Sequence, residues 1–439
     1  MENTAAEAST PPVQEEPKVD APQSAEEDKT AADDQEINAF EVKAGAEGVD
    51  YDKLIDKFGC DKISEAHLAK IEELTGMKPH RFLRRGIFFS HRSLDFILNA
   101  YQQGRGFYLY TGRGPSSESL HLGHALPFIF TKYLQDAFDV PLVIQITDDE
   151  KFFHKQNLTL EKCYEMGKSN IKDIIAFGFN PDKTFIFSDV DYIATLYPNV
   201  CKMQRALTLN NVKGVFGFND SDNAGKFAFP AVQAVPSFSN SFPHIYGKKK
   251  NVPCLIPQGI DQDPYFRMTR DIAKKLKYEK PACIHSKFFP AITGLHGKMA
   301  ASDTSTTIFL SDTPKQIRNK IKRHAFSGGG DNLEEQKAKG ANLKVDVAYQ
   351  YLQFFLEDDD EYRRIGEEYS SGRMLTSEVK QICADSIAEF ITEYQERRKQ
   401  VTDADVELFC KVRPIDPTSS KMPSPPPKEE KGKEKNKED

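Results

Sequence analysis

Residues 107–124 read FYLYTGRGPSSESLHLGH. The apolar and aromatic start, FYLYTG (107–112), predicts a short buried strand, and the run rich in Gly, Pro and Ser predicts a tight turn. A helix is predicted to begin near His121 and to continue through LGHALPFIFTKYLQDAF. Two histidines therefore lie at the start of a helix that follows a strand, which is where α/β sheets bind nucleotide phosphates.

These two histidines, His121 and His124, are three residues apart. On a helix they share one face, so both can donate hydrogen bonds to phosphate oxygens. Gly123 between them has no Cβ and leaves room for a nucleotide to approach the backbone. The pattern His-x-Gly-His is only moderately specific alone, and its position between a strand and a helix makes it a strong indication of a nucleotide site.

Strands and helices alternate after this segment. Further apolar runs typical of buried strands are PLVIQITDDE (141–150), TFIFSD (184–189), PCLIP (253–257) and PACIHSKFF (281–289). Continuous apolar strands separated by helical segments predict an α/β fold, with a parallel sheet covered on both faces. We expect a Rossmann-type catalytic domain over residues 104–314.

Helical periodicity flanks this region on both sides. Three segments that each end at a glycine predict a helical N-terminal extension over residues 49–103. Segments such as VDVAYQYLQFFLEDD and LTSEVKQICADSIAEFITEYQERRKQV predict an all-helical domain over residues 315–413. The acidic, Ala- and Pro-rich residues 1–48 and the polar residues 414–439 are predicted to be disordered, because they have little to bury.

The composition limits the function classes. The 439 residues are 39% hydrophobic but contain no apolar run close to the roughly 20 residues that cross a membrane. A net charge of −7 argues against a protein that coats DNA. Seven scattered cysteines without a Cys-x-x-Cys pair indicate reduced thiols rather than structural zinc. With neither a signal peptide nor an Arg-rich transit peptide at its start, the chain is predicted to be cytoplasmic.

A second motif, GLHGKMAAS, spans residues 294–302. A lysine on a loop flanked by glycine suits a leaving pyrophosphate, whose charge moves during the reaction. Alone the motif is weak evidence, because most exposed lysines are simply solvated.

The segments 121–124 (HLGH) and 298–302 (KMAAS) resemble the HIGH and KMSKS signatures of class I aminoacyl-tRNA synthetases. Seven further segments, in order along the chain, resemble the eukaryotic-type (cytoplasmic) tryptophanyl-tRNA synthetase family: YTGRGPSSE, VIQITDDEK, GVFGFNDSD, FPAVQAVPSFSNSFP, IDQDPYFRMTRD, HAFSGG and FFLEDDD. The resemblance runs from about Tyr51 to Arg413. It implies a tryptophan–tRNA ligase, which activates L-tryptophan with ATP and transfers it to tRNA(Trp), releasing AMP and pyrophosphate.

The resemblance also implies the roles of individual residues. The catalytic residues carried over from the family are His121, His124 and Lys298. The ATP-binding positions are Ser116, Gly123, Asp261, Lys298, Met299 and Ser302. For tryptophan, the family implies Tyr110 and Gln145 at the indole N–H, and Glu150, Gln233 and Gln262 at the ammonium group. It further implies Mg²⁺ with the ATP, a homodimer, and anticodon binding by the C-terminal helices.

Three consecutive acids, Asp148, Asp149 and Glu150, follow a predicted strand. They could hold a cation, but carboxylates at a strand end more often cap helices and loops. We therefore predict no metal site built by the protein itself.

The chain departs from the family pattern at two places. Ala300 and Ala301 stand in the lysine signature, and Gln258-Gly259 stands where relatives have Cys-Ala. Two other classes of protein are considered: a small nucleotidylyltransferase, which would lack the helical C-terminal domain and the Lys298 loop, and a catalytically inactive paralogue. The chain also contains no tryptophan.

Overall fold

A computed structural model of the chain describes residues 35–37, 42–43, 48–247, 249, 251–299, 303–330, 332–416, 419 and 421–422. For residues 36–37, 42–43 and 295–298, only the backbone is described. Most of the two segments predicted to be disordered, 1–48 and 414–439, therefore lies outside the described residues.

The strands and helices of the described residues follow in chain order. The strands are β1 (Glu36–Ile37), β2 (Val42–Lys43), β3 (Asp61–Lys62), β4 (Phe88–Arg92), β5 (Tyr108–Arg113), β6 (Leu142–Ile146), β7 (Thr184–Ser188), β8 (Cys254–Gly259), β9 (Ala282–Ser286), β10 (Pro290–Ala291) and β11 (Gly294–Lys298). The α-helices are α1 (Tyr51–Phe58), α2 (Glu65–Thr75), α3 (Arg81–Arg84), α4 (Leu94–Gln102), α5 (Leu122–Phe138), α6 (Asp148–His154), α7 (Leu160–Ile175), α8 (Asp189–Ala206), α9 (Leu209–Phe216), α10 (Ala224–Ala234), α11 (Pro243–Tyr246), α12 (Asp263–Leu276), α13 (Pro314–His324), α14 (Leu333–Lys339), α15 (Val347–Phe355), α16 (Asp359–Ser370), α17 (Thr376–Gln400) and α18 (Asp403–Cys410).

The main sheet in the described part of the chain has seven strands in the order β3-β4-β9-β8-β5-β6-β7. The strands from β9 to β7 run parallel, and β3 and β4 are antiparallel at one edge. From β5 the chain builds β6 and β7 on one side and returns to β8 and β9 on the other. This arrangement confirms the predicted α/β, Rossmann-type fold, and its switch point lies between β5 and β8.

The central strands are apolar because both of their faces are covered. Every residue of β6 and β7 is buried, as expected for parallel strands between two layers of helices. On one face, α5 buries Leu122, Leu126, Phe130 and Leu134, a spacing that forms one stripe of a helix. Phe130 stacks on Phe88 of β4 with 3.7 Å between the ring centroids, so this stripe also fixes the antiparallel edge.

The N-terminal extension contains the three expected helices, α1, α2 and α4, and also the strands β3 and β4, which were not expected. Through β4 and β9 the extension joins the main sheet directly. Arg92 at the end of β4 forms a 2.6 Å ion pair with the buried Asp263 of α12 and donates to the main-chain oxygen of Gly59. The extension is therefore attached to the sheet by both backbone pairing and a buried ion pair.

The C-terminal region is helical, as predicted. The long helix α17 packs on α13 and α15, and α18 lies against β7. Near the end of α17, Arg398 pairs with Asp173 of α7 at 2.6 Å, and the Tyr394 hydroxyl donates to the main-chain oxygen of Asp173 at 3.1 Å. Among the described helices, none has the length and apolar character needed to cross a lipid bilayer.

Candidate active site

A cavity of about 730 Å³ opens at the carboxyl ends of β5, β6 and β8. Its walls are formed by β5 with the turn after it, the start of α5, the end of β6 with α6, Gln233 of α10, and residues 256–266. Because β5 and β8 are the neighbours from which the chain turns in opposite directions, the cavity lies at the switch point where α/β sheets bind their ligands.

The start of α5 forms one end of this cavity. His121 is the residue that precedes the first turn, and its ring stacks on that of His124 with the centroids 3.5 Å apart. A Cβ at Gly123 would lie 3.1 Å from Cε1 of His121, so a side chain there would push this ring. Both predicted histidines and the glycine between them line the cavity, together with Ser116.

The two histidines do not add positive charge equally. Burial, and then the nearby Arg113, lowers the pKa of His121 to about 3. This imidazole is therefore neutral at physiological pH and carries a single N–H. It can donate one hydrogen bond to a phosphate, but the positive charge of the site must come from other groups.

Three basic residues that were not predicted from the sequence also line this cavity: Arg113, Lys151 and Lys155. Arg113 ends β5, is 8% exposed, and donates through Nε to Asn170 at 3.2 Å. Burial lowers the pKa of its guanidinium to about 10, which still leaves it charged at neutral pH. Arg113 and Lys151 lie within the motifs TGRG and TDDEK. Their closeness in sequence to residues already predicted for the site could have identified them.

A buried polar pair lies deeper in the cavity, on the first two parallel strands. The Tyr110 hydroxyl lies 2.5 Å from Oε1 of Gln145 and 2.8 Å from the main-chain oxygen of Gln233, and it can donate to either. Gln145 is fully buried, and burial raises the pKa of Tyr110 well above its usual value. The ring of Phe266 meets that of Tyr110 edge-on at 5.9 Å. Polar groups and an aromatic wall thus occur together.

The three residues expected at the ammonium group also line the cavity: Glu150, Gln233 and Gln262. Glu150 accepts from the Thr147 hydroxyl at 2.9 Å and from Lys151 at 3.1 Å. Burial alone would raise the pKa of Glu150, but these two neighbours outweigh it and lower the pKa. A charged carboxylate is therefore maintained inside the cavity.

Two further positions lie at the end of β8 and just after it. Gln258 of β8 lines the cavity, whereas Asp261 is not among the lining residues. Asp261 is 7% exposed, and its Oδ1 would lie 2.6 Å from a Cβ at Gly259. Any larger residue at 259 would therefore displace this carboxylate. Gln258 is 6% exposed, and neither atom of its amide has a hydrogen-bond partner among the described residues. The departure noted in the sequence thus lies in the cavity wall itself.

The lysine loop is described only in part. The backbone of β11 ends at Lys298, which pairs with Pro290 of β10, and β2 lies alongside β11. Met299 is buried, lines the cavity, and donates its N–H to the main-chain oxygen of Phe289 at 3.1 Å. The side chain of Lys298 and the whole of Ser302 lie outside the described parts, so their roles stay predictions.

Two acids of the TDDEK segment meet a third acid from β7–α8. Carboxylate oxygens of Asp148, Asp149 and Asp189 lie within 4.8 Å of one another. Burial raises the pKa of Asp149 to about 6 and that of Asp189 well above its usual value. Such a buried group of acids retains protons near neutral pH. That the protein builds no metal site of its own stays a prediction.

Comparisons with known proteins agree with this geometry. Residues 102–392 match the family of class I tRNA synthetases for W and Y. The cytoplasmic tryptophan–tRNA ligase of Homo sapiens is 54% identical over 392 residues, which are 88% of this chain and 83% of that protein.

Two solved structures are also similar. The tryptophanyl-tRNA synthetase of Plasmodium falciparum is 51% identical, with a TM-score of 0.78, over 83% of this chain and 95% of that one. The enzyme from Encephalitozoon cuniculi, described as bound to tryptophan, is 43% identical with a TM-score of 0.77. That likeness covers 83% of this chain and 98% of the other.

The chain therefore belongs to the class I tRNA synthetases of the tryptophan and tyrosine group. Within that group the similar proteins are tryptophan–tRNA ligases, which confirms the activity predicted from the sequence, with ATP as a substrate and tryptophan and tRNA as partners. The curated relatives are named as cytoplasmic enzymes, in agreement with the predicted location.

Proposed function

We propose that the cavity between β5 and β8 is where this chain joins tryptophan to ATP before transfer to tRNA. The supporting observation is that one cavity contains both the stacked histidines at the start of α5 and the buried Tyr110–Gln145 pair. The first suits a triphosphate and the second suits an indole N–H. The tryptophan carboxylate attacks the α-phosphorus, and pyrophosphate leaves. No side-chain nucleophile is needed, so catalysis consists of positioning and charge stabilisation.

The triphosphate lies across the first turn of α5. There the positive end of the helix dipole attracts its charge. His124, Ser116 and the single N–H of His121 donate to its oxygens, and the charge is balanced by Arg113, Lys151, Lys155 and Lys298. Gly123, Asp261, Met299 and Ser302 complete the nucleotide site, with Asp261 placed towards the ribose.

Tryptophan occupies the deeper part of the cavity. Its indole N–H is accepted by the Tyr110–Gln145 pair, and its ammonium group by Glu150, Gln233 and Gln262. A buried acceptor that phenylalanine would leave unpaired discriminates strongly between the two side chains. The tryptophan-bound relative from Encephalitozoon cuniculi supports this substrate.

Mg²⁺ enters this site with the nucleotide. Among the described residues that line the cavity, Glu150 is the one carboxylate, and it is already engaged by Thr147 and Lys151. The other charged side chains of the wall are the cations Arg113, Lys151 and Lys155, which suit phosphate rather than a hard cation. Mg²⁺ is therefore held by triphosphate oxygens and water, as part of the substrate.

The C-terminal helices, residues 315–413, bind the anticodon part of the tRNA. The exposed side of α13 carries Lys315, Arg318, Lys322 and Arg323, which gives a local basic surface on an acidic protein. Phosphate contacts of this kind supply affinity without requiring a basic chain.

The assembly is a homodimer. An exposed stripe on α8, defined by Val190, Ala194, Tyr197 and Cys201, repeats at a spacing that keeps it on one helix face. Tyr197 is 57% exposed, and Leu209 after the helix is 63% exposed. Large apolar side chains exposed together are typical of a protein–protein contact.

The experiment that tests this function is ATP–pyrophosphate exchange with each standard amino acid in turn. Exchange that depends on tryptophan, and not on tyrosine or phenylalanine, is expected. Exchange with tyrosine alone would overturn the substrate, and no exchange with any amino acid would favour the inactive paralogue.

A further inference from the structure

Asp189 lies behind the predicted tryptophan pocket, outside the residues assigned to it. It is the first residue of α8, directly after β7, and is 1% exposed. Its Oδ1 accepts a hydrogen bond from Nε2 of Gln145 at 2.6 Å. Gln145 is the fully buried residue of β6 whose Oε1 faces Tyr110. Asp189 thus contacts the recognition residue and lies on the side of it away from Tyr110.

The amide of a glutamine can be turned either way, and the groups around it decide which way it points. On the Nε2 side of Gln145 lie two acceptors, Oδ1 of Asp189 at 2.6 Å and the main-chain oxygen of Val232 at 3.5 Å. Turning the amide over would set its oxygen against these two oxygens. Oε1 is therefore kept on the side of Tyr110, where an indole N–H needs an acceptor.

We propose that Asp189 is a positioning residue for tryptophan recognition, which holds the Gln145 amide so that Oε1 and not Nε2 meets the indole N–H. The proposal rests on the proposed function of the Tyr110–Gln145 pair. With indole bound to Oε1, the Tyr110 hydroxyl donates to the main-chain oxygen of Gln233, which is already 2.8 Å away.

The surroundings of Asp189 explain how an acid can do this inside the protein. Its second oxygen, Oδ2, is buried and accepts no hydrogen bond from the described residues, and carboxylate oxygens of Asp148 and Asp149 lie within 4.8 Å of the Asp189 carboxyl. A proton on Oδ2 can be shared with Asp149, which avoids an isolated buried charge. In this neutral form Oδ1 is still an acceptor, so the hold on Gln145 does not require an ionised Asp189.

Asp189 could also serve only the stability of α8, because an acid at a helix start is favourable. Substrate discrimination separates the two roles. The readout is the ratio of kcat/KM in pyrophosphate exchange for tryptophan to kcat/KM for the analogue in which sulfur replaces the ring N–H. The ratio measures how strongly the enzyme recognises the indole N–H. A loss of activity that affects both substrates equally does not change it.

The variant Asp189→Leu removes the acceptor, and Asp189→Ser is a second disruption that suits a helix start if the first does not fold. Both variants are expected to lower this ratio by about tenfold or more, because kcat/KM falls for tryptophan while kcat/KM for the sulfur analogue does not. Asp189→Asn is expected to keep the ratio within about threefold, because its carbonyl accepts from Gln145 while its NH₂ donates to Asp149.

The matched control is Asp148→Asn. Asp148 is equally buried in the same group of acids but accepts from Ser188 and from the main-chain N–H of Val190. This variant should keep the wild-type ratio whatever its effect on stability. If Asp189→Leu or Asp189→Ser folds and keeps that ratio, Asp189 is only structural. If the wild type itself does not prefer tryptophan to the sulfur analogue, the proposed function of the pair fails first.

Discussion

The main-chain N–H of Leu122, at the first turn of α5, donates to the main-chain oxygen of Ile308 at 3.0 Å. Close by, the N–H of Leu310 donates to the oxygen of Leu120 at 2.9 Å. The chain that leaves the lysine loop is thereby hydrogen-bonded to the entry of the helix that carries the two histidines. The two signature segments are about 180 residues apart in sequence, and these backbone bonds place them at one end of one cavity.

The neutral state of buried His121 predicts an acid sensitivity. The unfolded chain takes up a proton on this imidazole below pH about 6.5, whereas the folded chain does so only near pH 3. Stability is thus lost as pH falls through this window. Between pH 7 and pH 5, His121→Asn, which places a residue type favoured at helix starts, should lose less stability than the wild type by on the order of 2 kcal/mol.

This difference is measured as the free energy of unfolding in urea at the two pH values. Other buried histidines titrate in both proteins, so the change between wild type and variant isolates His121. Equal losses in the two proteins would show that this imidazole is protonated in the folded state.

Lys298 is predicted to act on the leaving pyrophosphate. Lys298→Ala should lower kcat of pyrophosphate exchange by about a hundredfold or more. The negative charge that develops on the leaving pyrophosphate in the transition state would no longer be stabilised by the lysine ammonium group. The affinity for tryptophan should not change. Lys315→Ala, which removes an exposed lysine of α13, is the control and should match the wild type, since exchange needs no tRNA. Unchanged exchange by the Lys298 variant would remove this lysine from the reaction.

Gln258 predicts a gain in stability. Its amide is buried without a protein partner among the described residues, and such a group costs about 1–3 kcal/mol. Gln258→Met keeps the volume and removes the amide, so urea unfolding without substrates should show a higher free energy. A loss of stability would mean that the amide is satisfied in the free protein.

The exposed stripe on α8 predicts the assembly state. Light scattering should give twice the 49.6 kDa of one chain for the wild type. Tyr197→Glu, which places a charge in the stripe, should give the mass of a single chain. Leu333→Glu changes another exposed apolar residue, at the start of α14, and should leave the dimer intact. A dimer that survives the Tyr197 change would place the interface elsewhere.

Much of the fold could be predicted because its physical causes are local. Parallel strands covered on both faces must be apolar throughout, so β5, β6 and β7 are visible as continuous apolar runs. Helix ends were visible where a glycine adopts a positive φ, as Gly59 and Gly76 do after α1 and α2.

The antiparallel edge was not predicted, because β4 reads FFSHR and its burial depends on a distant partner. Phe88 pairs with Ser286 and packs on Phe130, and neither contact leaves a local signal. Pairing between distant segments overrides short-range propensity in such strands.

The residues of the candidate site likewise fall into those that could be predicted from the sequence and those that could not. His121 and Tyr110 lie in one segment with a recognisable pattern, so they could be selected from the sequence. Asp189 could not, because its importance comes from burial and from a partner 44 residues away. An acid after a strand is usually a helix cap, and only the contact with Gln145 distinguishes this one.

The most direct test of the cavity uses the absence of tryptophan from the chain. Excited beyond the tyrosine absorption band, a mixture of protein and L-tryptophan emits only from the substrate. We predict a saturable blue shift of this emission on adding the wild-type protein, lost in Gln145→Leu and not competed by L-tyrosine. No shift with the wild type, or an equal shift with the Gln145 variant, would contradict an indole site beside the start of α5.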